Sequence, residues 1–253
     1  MAAKSSIEWT ELTWNPVTGC NKVSAGCKFC YAERMAKRLQ AMGVDQYKNG
    51  FKLSLAPQTL SMPYNWKKPK IIFVNSMSDL FHKDVPLEYI QRVFKVMNET
   101  PQHIYQILTK RPERLLELDK ELLWSKNIWM GVSVENEKVN YRIDLLKKCS
   151  SNVKFISFEP LIGSVGKVNL KKIDWVIVGG ESGPGARKIE KKWIIEIFKE
   201  ARKVGASFFF KQWGKKEFNV NLNDPTMNKK HQNYAKGGCL LDGKAYREIP
   251  QFG

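Results

Sequence analysis

Three of the chain's five cysteines fall within eleven residues, as Cys20-Asn-Lys-Val-Ser-Ala-Gly-Cys27-Lys-Phe-Cys30, spaced C-x6-C-x2-C. The stretch is loop-like, with Pro16, Gly19 and Gly26 in or beside it. A loop lets three sulfurs turn toward one point, which a single regular helix or strand would not. The run Tyr31-Ala-Glu-Arg-Met-Ala-Lys-Arg-Leu39 follows at once and has a helical pattern. The positive end of a helix dipole favours thiolate over thiol. The set suits a metal centre with three protein ligands and one open coordination position.

Four readings of the triplet compete. Structural zinc normally takes four protein ligands, yet Cys149 and Cys239 are far away in sequence. His82, His103 and His231 are candidate fourth ligands without a supporting spacing. A redox dithiol at Cys27-Lys-Phe-Cys30 leaves Cys20 unexplained. Chance clustering is a poor account of three cysteines in eleven residues. The fourth reading is an iron–sulfur cluster with one iron left open.

The elements that must position this loop alternate along the chain. Ile7–Trp14 reads as a first strand leading into the cysteines. Ile71–Val74, Ile104–Leu108, Ile128–Val134, Val153–Phe158, Trp175–Val178 and Ser207–Phe210 read as further strands. Continuous apolar runs of this length mark strands buried on both faces of a parallel sheet. Helical patterns lie between them, with Asp84 expected to cap a helix running to about Asn98 and Gly205 ending one over Trp193–Val204. Pro112–Glu117 and Tyr141–Lys148 are also helical in pattern, whereas the link from Phe158 to Trp175 is not. The fold class expected is α/β, a TIM-like (βα) barrel, partial or complete, with parallel strands and an irregular C-terminal extension. A doubly wound open sheet is the alternative. The domain division expected is a barrel over 1–214 and an extension over 215–253 packed on it, in which Leu240-Leu-Asp-Gly-Lys244 reads as a short hairpin.

Polar groups follow nearly every strand: Asn75-Ser-Met-Ser-Asp79, Thr109-Lys-Arg111, Glu135-Asn136, Glu159-Pro160, Gly179-Gly-Glu-Ser-Gly183 and Lys211-Gln212. In α/β barrels and open sheets the carboxyl ends of the strands carry the active site. Each group also has a plain structural use, as a helix cap or a tight turn.

The formal net charge of +17, from 42 Lys and Arg against 25 Asp and Glu, points to a polyanionic partner, nucleic acid above all. Pairs such as Lys67-Lys68, Lys215-Lys216 and Lys229-Lys230 recur, some beside aromatics able to stack on bases, as at Tyr64-Asn-Trp66. Five cysteines, an odd number, argue against a disulfide framework. Met1-Ala-Ala-Lys-Ser-Ser6 lacks the apolar core of a signal peptide, and no apolar run reaches membrane-spanning length. A cytoplasmic protein without a membrane partner is expected.

The half-motif Cys27-Lys-Phe-Cys30-Tyr31, lying after a first strand and before a helix, resembles the radical-SAM signature, with Phe29 as its aromatic residue. The usual first gap there is C-x3-C, and here it is C-x6-C. Thr13-Trp-Asn-Pro-Val-Thr-Gly-Cys20, Ser157-Phe-Glu-Pro-Leu161, Gly179-Gly-Glu-Ser-Gly183 and Phe210-Lys-Gln-Trp213 resemble more closely an uncharacterised bacterial and phage family. The superfamily resemblance implies a partial or full barrel and a [4Fe–4S] cluster held by Cys20, Cys27 and Cys30. It also implies S-adenosylmethionine (SAM) on the open iron, an external electron donor, and hydrogen abstraction from a substrate. Residues expected to face the cofactors are Phe29, Tyr31, Asn75, Ser76, Ser78, Glu135 and Glu159, with Trp14 and Phe73 as dry walls. Lys110, Arg111, Glu181, Lys211 and Gln212 are expected at the chemistry, the first two meeting a carboxylate or phosphate. The later Gly179-Gly-Glu181 is not given the amine-binding role that such a motif has after the second strand of that superfamily.

Overall fold

The computed structural model describes residues 3–5 and 7–251. Met1, Ala2 and Ser6 of the opening stretch, and Phe252 and Gly253 of the extension, lie outside the described residues. The chain divides into two compact units, residues 1–132 with 148–153, and residues 133–147 with 154–253.

In the first unit, β1 (Ala3–Lys4) pairs antiparallel with β2 (Leu12–Trp14). A short ribbon follows, β3 (Val17–Thr18) against β4 (Ser54–Leu55). Between its two strands lie the cysteine loop and α1 (Tyr31–Ala41). The strands β5 (Ile71–Val74), β6 (Ile104–Thr109) and β7 (Ile128–Ser133) then add in sequence order, each parallel to the one before, with β2 parallel to β5. The connections carry α2 (Leu87–Glu99) and α3 (Pro112–Leu118). In the second unit β8 (Val153–Phe158), β9 (Trp175–Gly179) and β10 (Ser207–Gln212) repeat the scheme, again parallel and in order. Two helices belong here, α4 (Arg142–Leu146) and α5 (Lys191–Lys203).

A doubly wound sheet reverses its strand order at a switch point; within each unit the order runs straight. The class is α/β, a partial barrel of parallel strands of TIM-like kind. The burial pattern gives the reason that apolar runs mark these strands, since every residue of β7 and of β9 is buried.

Several boundaries moved. Asp84 does not cap α2, because Pro86 stands at the N-cap without a side-chain hydrogen bond and the helix opens at Leu87. Proline is tolerated there because it has no N–H to leave unpaired. The helix expected over Tyr141–Lys148 shortens to α4. Gly205, at φ +72°, ends α5 one residue past its cap, as a left-handed glycine does. The link from Phe158 to Trp175 carries no helix. The hairpin forms as β11 (Leu240–Leu241) and β12 (Lys244–Ala245), turning on Asp242 and Gly243 with positive φ at both. Residues 215–251 of the extension belong to the second unit, where Trp213 N–H donates to Gly238 O and Phe210 N–H to Tyr246 O.

Candidate functional site

The cysteine loop is held at both ends. At its start, Gly19 has φ +77°, and a Cβ there would lie 2.1 Å from Lys52 O, so only glycine fits. Gly19 N–H donates to Met77 O (3.0 Å) and Cys20 N–H to Phe51 O (3.1 Å). A single 3-10 turn over Ala25–Cys27 carries the chain on to Cys30, which is the N-cap of α1. Ser24 Oγ lies 3.9 Å from Cys27 Sγ. The apolar side of α1 fixes the third cysteine, since Ala32 and Ala36 bury with Tyr47 and Met77, and Cys30 packs against that cluster. Glu33, in the first turn of α1, complements the helix dipole and binds Lys22 and Lys37, each at 3.2 Å. All three cysteines are free thiols of intermediate exposure, while Cys149 and Cys239 are buried.

Cys20 meets a cation. Arg111 Nη2 lies 3.8 Å from Cys20 Sγ, donates to Asn21 O at 3.4 Å, and makes a short bond to Asn21 Oδ1. Burial pushes the Cys20 thiol above its ordinary range; Asp79 adds to the push and Arg111 opposes it. Of the three sulfurs, Cys30 alone stands at the N-cap of α1.

Asn75, Ser76 and Ser78 hold this loop. Asn75, at φ 60°, accepts from Val17 N–H through Oδ1 (3.1 Å). Ser76 Oγ donates to Asn15 Oδ1 (3.2 Å) and Ser78 Oγ to Val17 O (2.8 Å). Both serine hydroxyl protons thus serve the chain, and among the described residues the buried Asn75 Nδ2 has no hydrogen-bond partner. Phe29 is half-buried under Lys28, and Tyr31 is exposed. Trp14 and Phe73 belong to the core, Trp14 with its indole N–H on Thr59 O (2.8 Å). Lys110 contributes its backbone N–H to Asp79 Oδ2 (3.1 Å). Asn21 gained no role from sequence, and His82 was read there as a candidate metal ligand and not as a partner of Asn21, because polar residues in loops carry no pattern that tells a clasp from a solvated turn. Burial and nearby Arg111 hold the His82 imidazole below its ordinary range, with Asp84 and Asp79 acting against them.

In the second unit three carboxylates follow strands, and each has a cation. Glu135 is buried against Arg142 (3.0 Å), whose guanidinium also donates to Ser133 O (2.9 Å). Glu181 is gripped by Arg187 at both oxygens, Nε to Oε2 at 2.8 Å and Nη2 to Oε1 at 2.6 Å, and this fork raises the Arg187 pKa further. Glu159 lies 3.2 Å from Lys211 Nζ and accepts from Ser157 Oγ at 3.2 Å. Its carboxylate rests where a Cβ on Gly179 would stand, 2.4 Å away. The Glu159–Pro160 bond is cis. Gln212 donates to Gly180 O (2.8 Å), and its buried Oε1 has no hydrogen-bond partner among the described residues. Arg142 and Arg187 went unnoticed in the sequence because each reads there as one more surface cation of a basic chain.

By chemistry, three thiols on one loop are the donor type that iron–sulfur clusters take. Three free, half-buried thiols lie on one loop, with a guanidinium at one of them to offset thiolate charge. Among the described residues no three His, Cys, Asp or Glu side chains are arranged to hold a single metal ion.

The fold and this loop define a parallel α/β protein with a three-cysteine site at the N-terminus of its first helix. The chain belongs to the family described as protein of unknown function (DUF5131), which matches residues 4–250. No curated protein matches it. Among solved structures it is similar to a spore photoproduct lyase variant with bound AdoMet and dinucleoside spore photoproduct, at 10% identity and a TM-score of 0.46. The match covers 81% of this chain and 64% of that chain, so this chain spans less than two thirds of its length.

Proposed function

We propose that this protein is a radical-SAM enzyme acting on nucleic acid, in the repair or modification of DNA or RNA. The observation that carries the reading is the free triplet Cys20, Cys27 and Cys30 on a loop opening a helix of a parallel βα unit. A [4Fe–4S] cluster held by these cysteines would supply the one electron that splits SAM into methionine and a 5′-deoxyadenosyl radical able to take a hydrogen atom from substrate.

The chain's own residues do the rest. Cys20, Cys27 and Cys30 hold the cluster, and the Asn15, Asn75, Ser76 and Ser78 bonds keep the loop in place. Phe29 and Tyr31 flank the third cysteine and face the nucleoside. Lys211 and Glu159 face substrate at the carboxyl ends of β10 and β8 as a paired proton donor and acceptor. Glu135 and Glu181 act through position, because Arg142 and Arg187 fix their charges. The lysine excess draws the polyanion. No helix among the described residues is long and apolar enough to cross a membrane, and a cytoplasmic setting with an external electron donor suits the reduced thiols.

Anaerobic reconstitution is expected to give about four irons per chain, a brown protein whose visible absorbance changes on adding SAM, and 5′-deoxyadenosine after reduction. Cys30→Ala is expected to lose iron and product together. A colourless zinc protein, or a brown one inert to SAM, would instead mark a nucleic-acid-binding module with a structural site. Wild-type iron content in Cys30→Ala would sink the ligand assignment.

A further inference from the structure

We propose that Arg111 is a positioning residue whose N–H···S bond to Cys20 sets the reduction potential of the cluster bound there. This rests on the cluster reading above. The sequence suggested a different use for Arg111, as a partner for a carboxylate or phosphate of substrate. Its surroundings explain why it serves the loop. Arg111 follows β6 and is the N-cap of α3, and its side chain is 14% exposed. Its backbone N–H donates to Thr109 Oγ1 (3.0 Å), and that hydroxyl donates to Asp79 Oδ1 (2.7 Å). The other Asp79 oxygen accepts from Lys110 N–H and lies 3.8 Å from Arg111 Nε, an ion-pair distance too long for a hydrogen bond. The guanidinium is thus aimed by the Asp79 carboxylate and Thr109 before it reaches the loop.

At its far end a single nitrogen, Nη2, meets both backbone and side chain of Asn21 and the sulfur of Cys20. Asn21 Oδ1 is also within 3.1 Å of His82 Nε2. The Cys20-Asn21 pair is therefore pinned from the ends of β5 and β6 together. Once Cys20 is a thiolate, the contact becomes a charge-assisted hydrogen bond. Reduction adds negative charge to the iron–sulfur unit, so a cationic donor at a ligating sulfur stabilises the reduced state more than the oxidised one. The potential rises. Asp79, held by its own partners, keeps that cation in place.

The test compares wild type, Arg111→Gln and Arg111→Lys after anaerobic reconstitution. Iron per chain and the midpoint potential are read, the potential by dye-mediated titration followed in visible absorbance. Arg111→Gln is expected to keep wild-type iron and to move the potential to a more negative value. Arg111→Lys keeps the charge but loses the fork, and should fall between the two. A purely structural residue would leave the potential alone. Wild-type iron with an unchanged potential in both variants overturns the proposal. So does loss of iron from both while the fold is retained, because Arg111 would then be needed for assembly and not for tuning. Failure of the wild type to take up iron and sulfide overturns the cluster reading itself, a result distinct from either.

Discussion

A carboxylate as buried as that of Glu135 needs a partner at bonding distance, and Arg142 provides one at 3.0 Å. Removing the cation leaves the charge stranded in a medium that cannot solvate it. Arg142→Met is therefore expected to destabilise the protein by about 3–5 kcal/mol, and the double replacement Glu135→Gln with Arg142→Met to recover some of that loss. Urea denaturation reads both, and a double variant no more stable than the single one would count against the pair. A second residue gives a pH dependence. His103 is buried, and burial lowers its pKa below 6.5, with the carbonyls of Pro63 and Trp66 pulling the other way. As pH falls through the ordinary histidine range the unfolded chain takes up the proton first. Stability is then lost from about pH 6.5 down to the folded pKa and levels off below it. In His103→Gln the fall in urea midpoint between about pH 7.5 and about pH 5.5 should shrink, with His82 supplying a remainder of the same sign. An unchanged slope would show that His103 takes its proton equally in both states.

At the scale of the element, the end of β9 shows why glycine pairs after strands are ambiguous in sequence. Gly179 and Gly180 are adjacent, yet they yield space to different things. A Cβ on Gly179 would meet Glu159 Oε1 at 2.4 Å, the movable end of a side chain. A Cβ on Gly180 would meet Trp213 O at 2.3 Å, a backbone atom of the chain leaving β10. Gly180→Ala must therefore push a pair of backbones apart and is expected to cost about 1–3 kcal/mol, whereas Gly179→Ala displaces Glu159 from Lys211 at a smaller loss. Equal losses in urea denaturation would remove the distinction. The strands themselves were legible because parallel strands buried on both faces are written as unbroken apolar runs, as in Trp175-Val-Ile-Val178. Helix starts were less so. Asp84 has the right residue type for a cap, but Pro86 fixes the backbone two residues later and takes the position. The roles of Asn75, Ser76 and Ser78 were hidden for a physical reason. A short polar side chain after a strand bonds equally well to a ligand or to a neighbouring loop, and only the fold shows that Val17 and Asn15 lie within reach.

For the whole molecule the dominant quantity is charge, +17, and what matters is where it goes unneutralised. Composition announced the excess but not its location, since many lysines sit in ion pairs such as those of Glu33. Residues 215–236 of the second unit are a place where the excess stands open. The segment has no helix of α type and is built on buried Asp224, whose oxygens accept from Thr226 N–H and Oγ1, Asn219 Nδ2 and Leu240 N–H. That carboxylate is fully used, and Glu217 pairs with Lys215 at 3.3 Å. Lys229 and Lys230 are exposed and, among the described residues, in no ion pair, with Tyr234 also exposed a few residues on. A fixed polar frame presenting unneutralised lysines suits a phosphate backbone. Binding to a labelled single-stranded oligonucleotide, followed by fluorescence anisotropy over a range of salt, should weaken as salt rises. Replacing Lys229 and Lys230 by alanine should weaken it further at low salt and flatten the dependence of log K on log salt by about one per lysine that meets a phosphate. Both residues lie away from the cysteine loop in sequence, so iron content should not change. Affinity and salt slope equal to wild type would place the nucleic acid elsewhere on the protein.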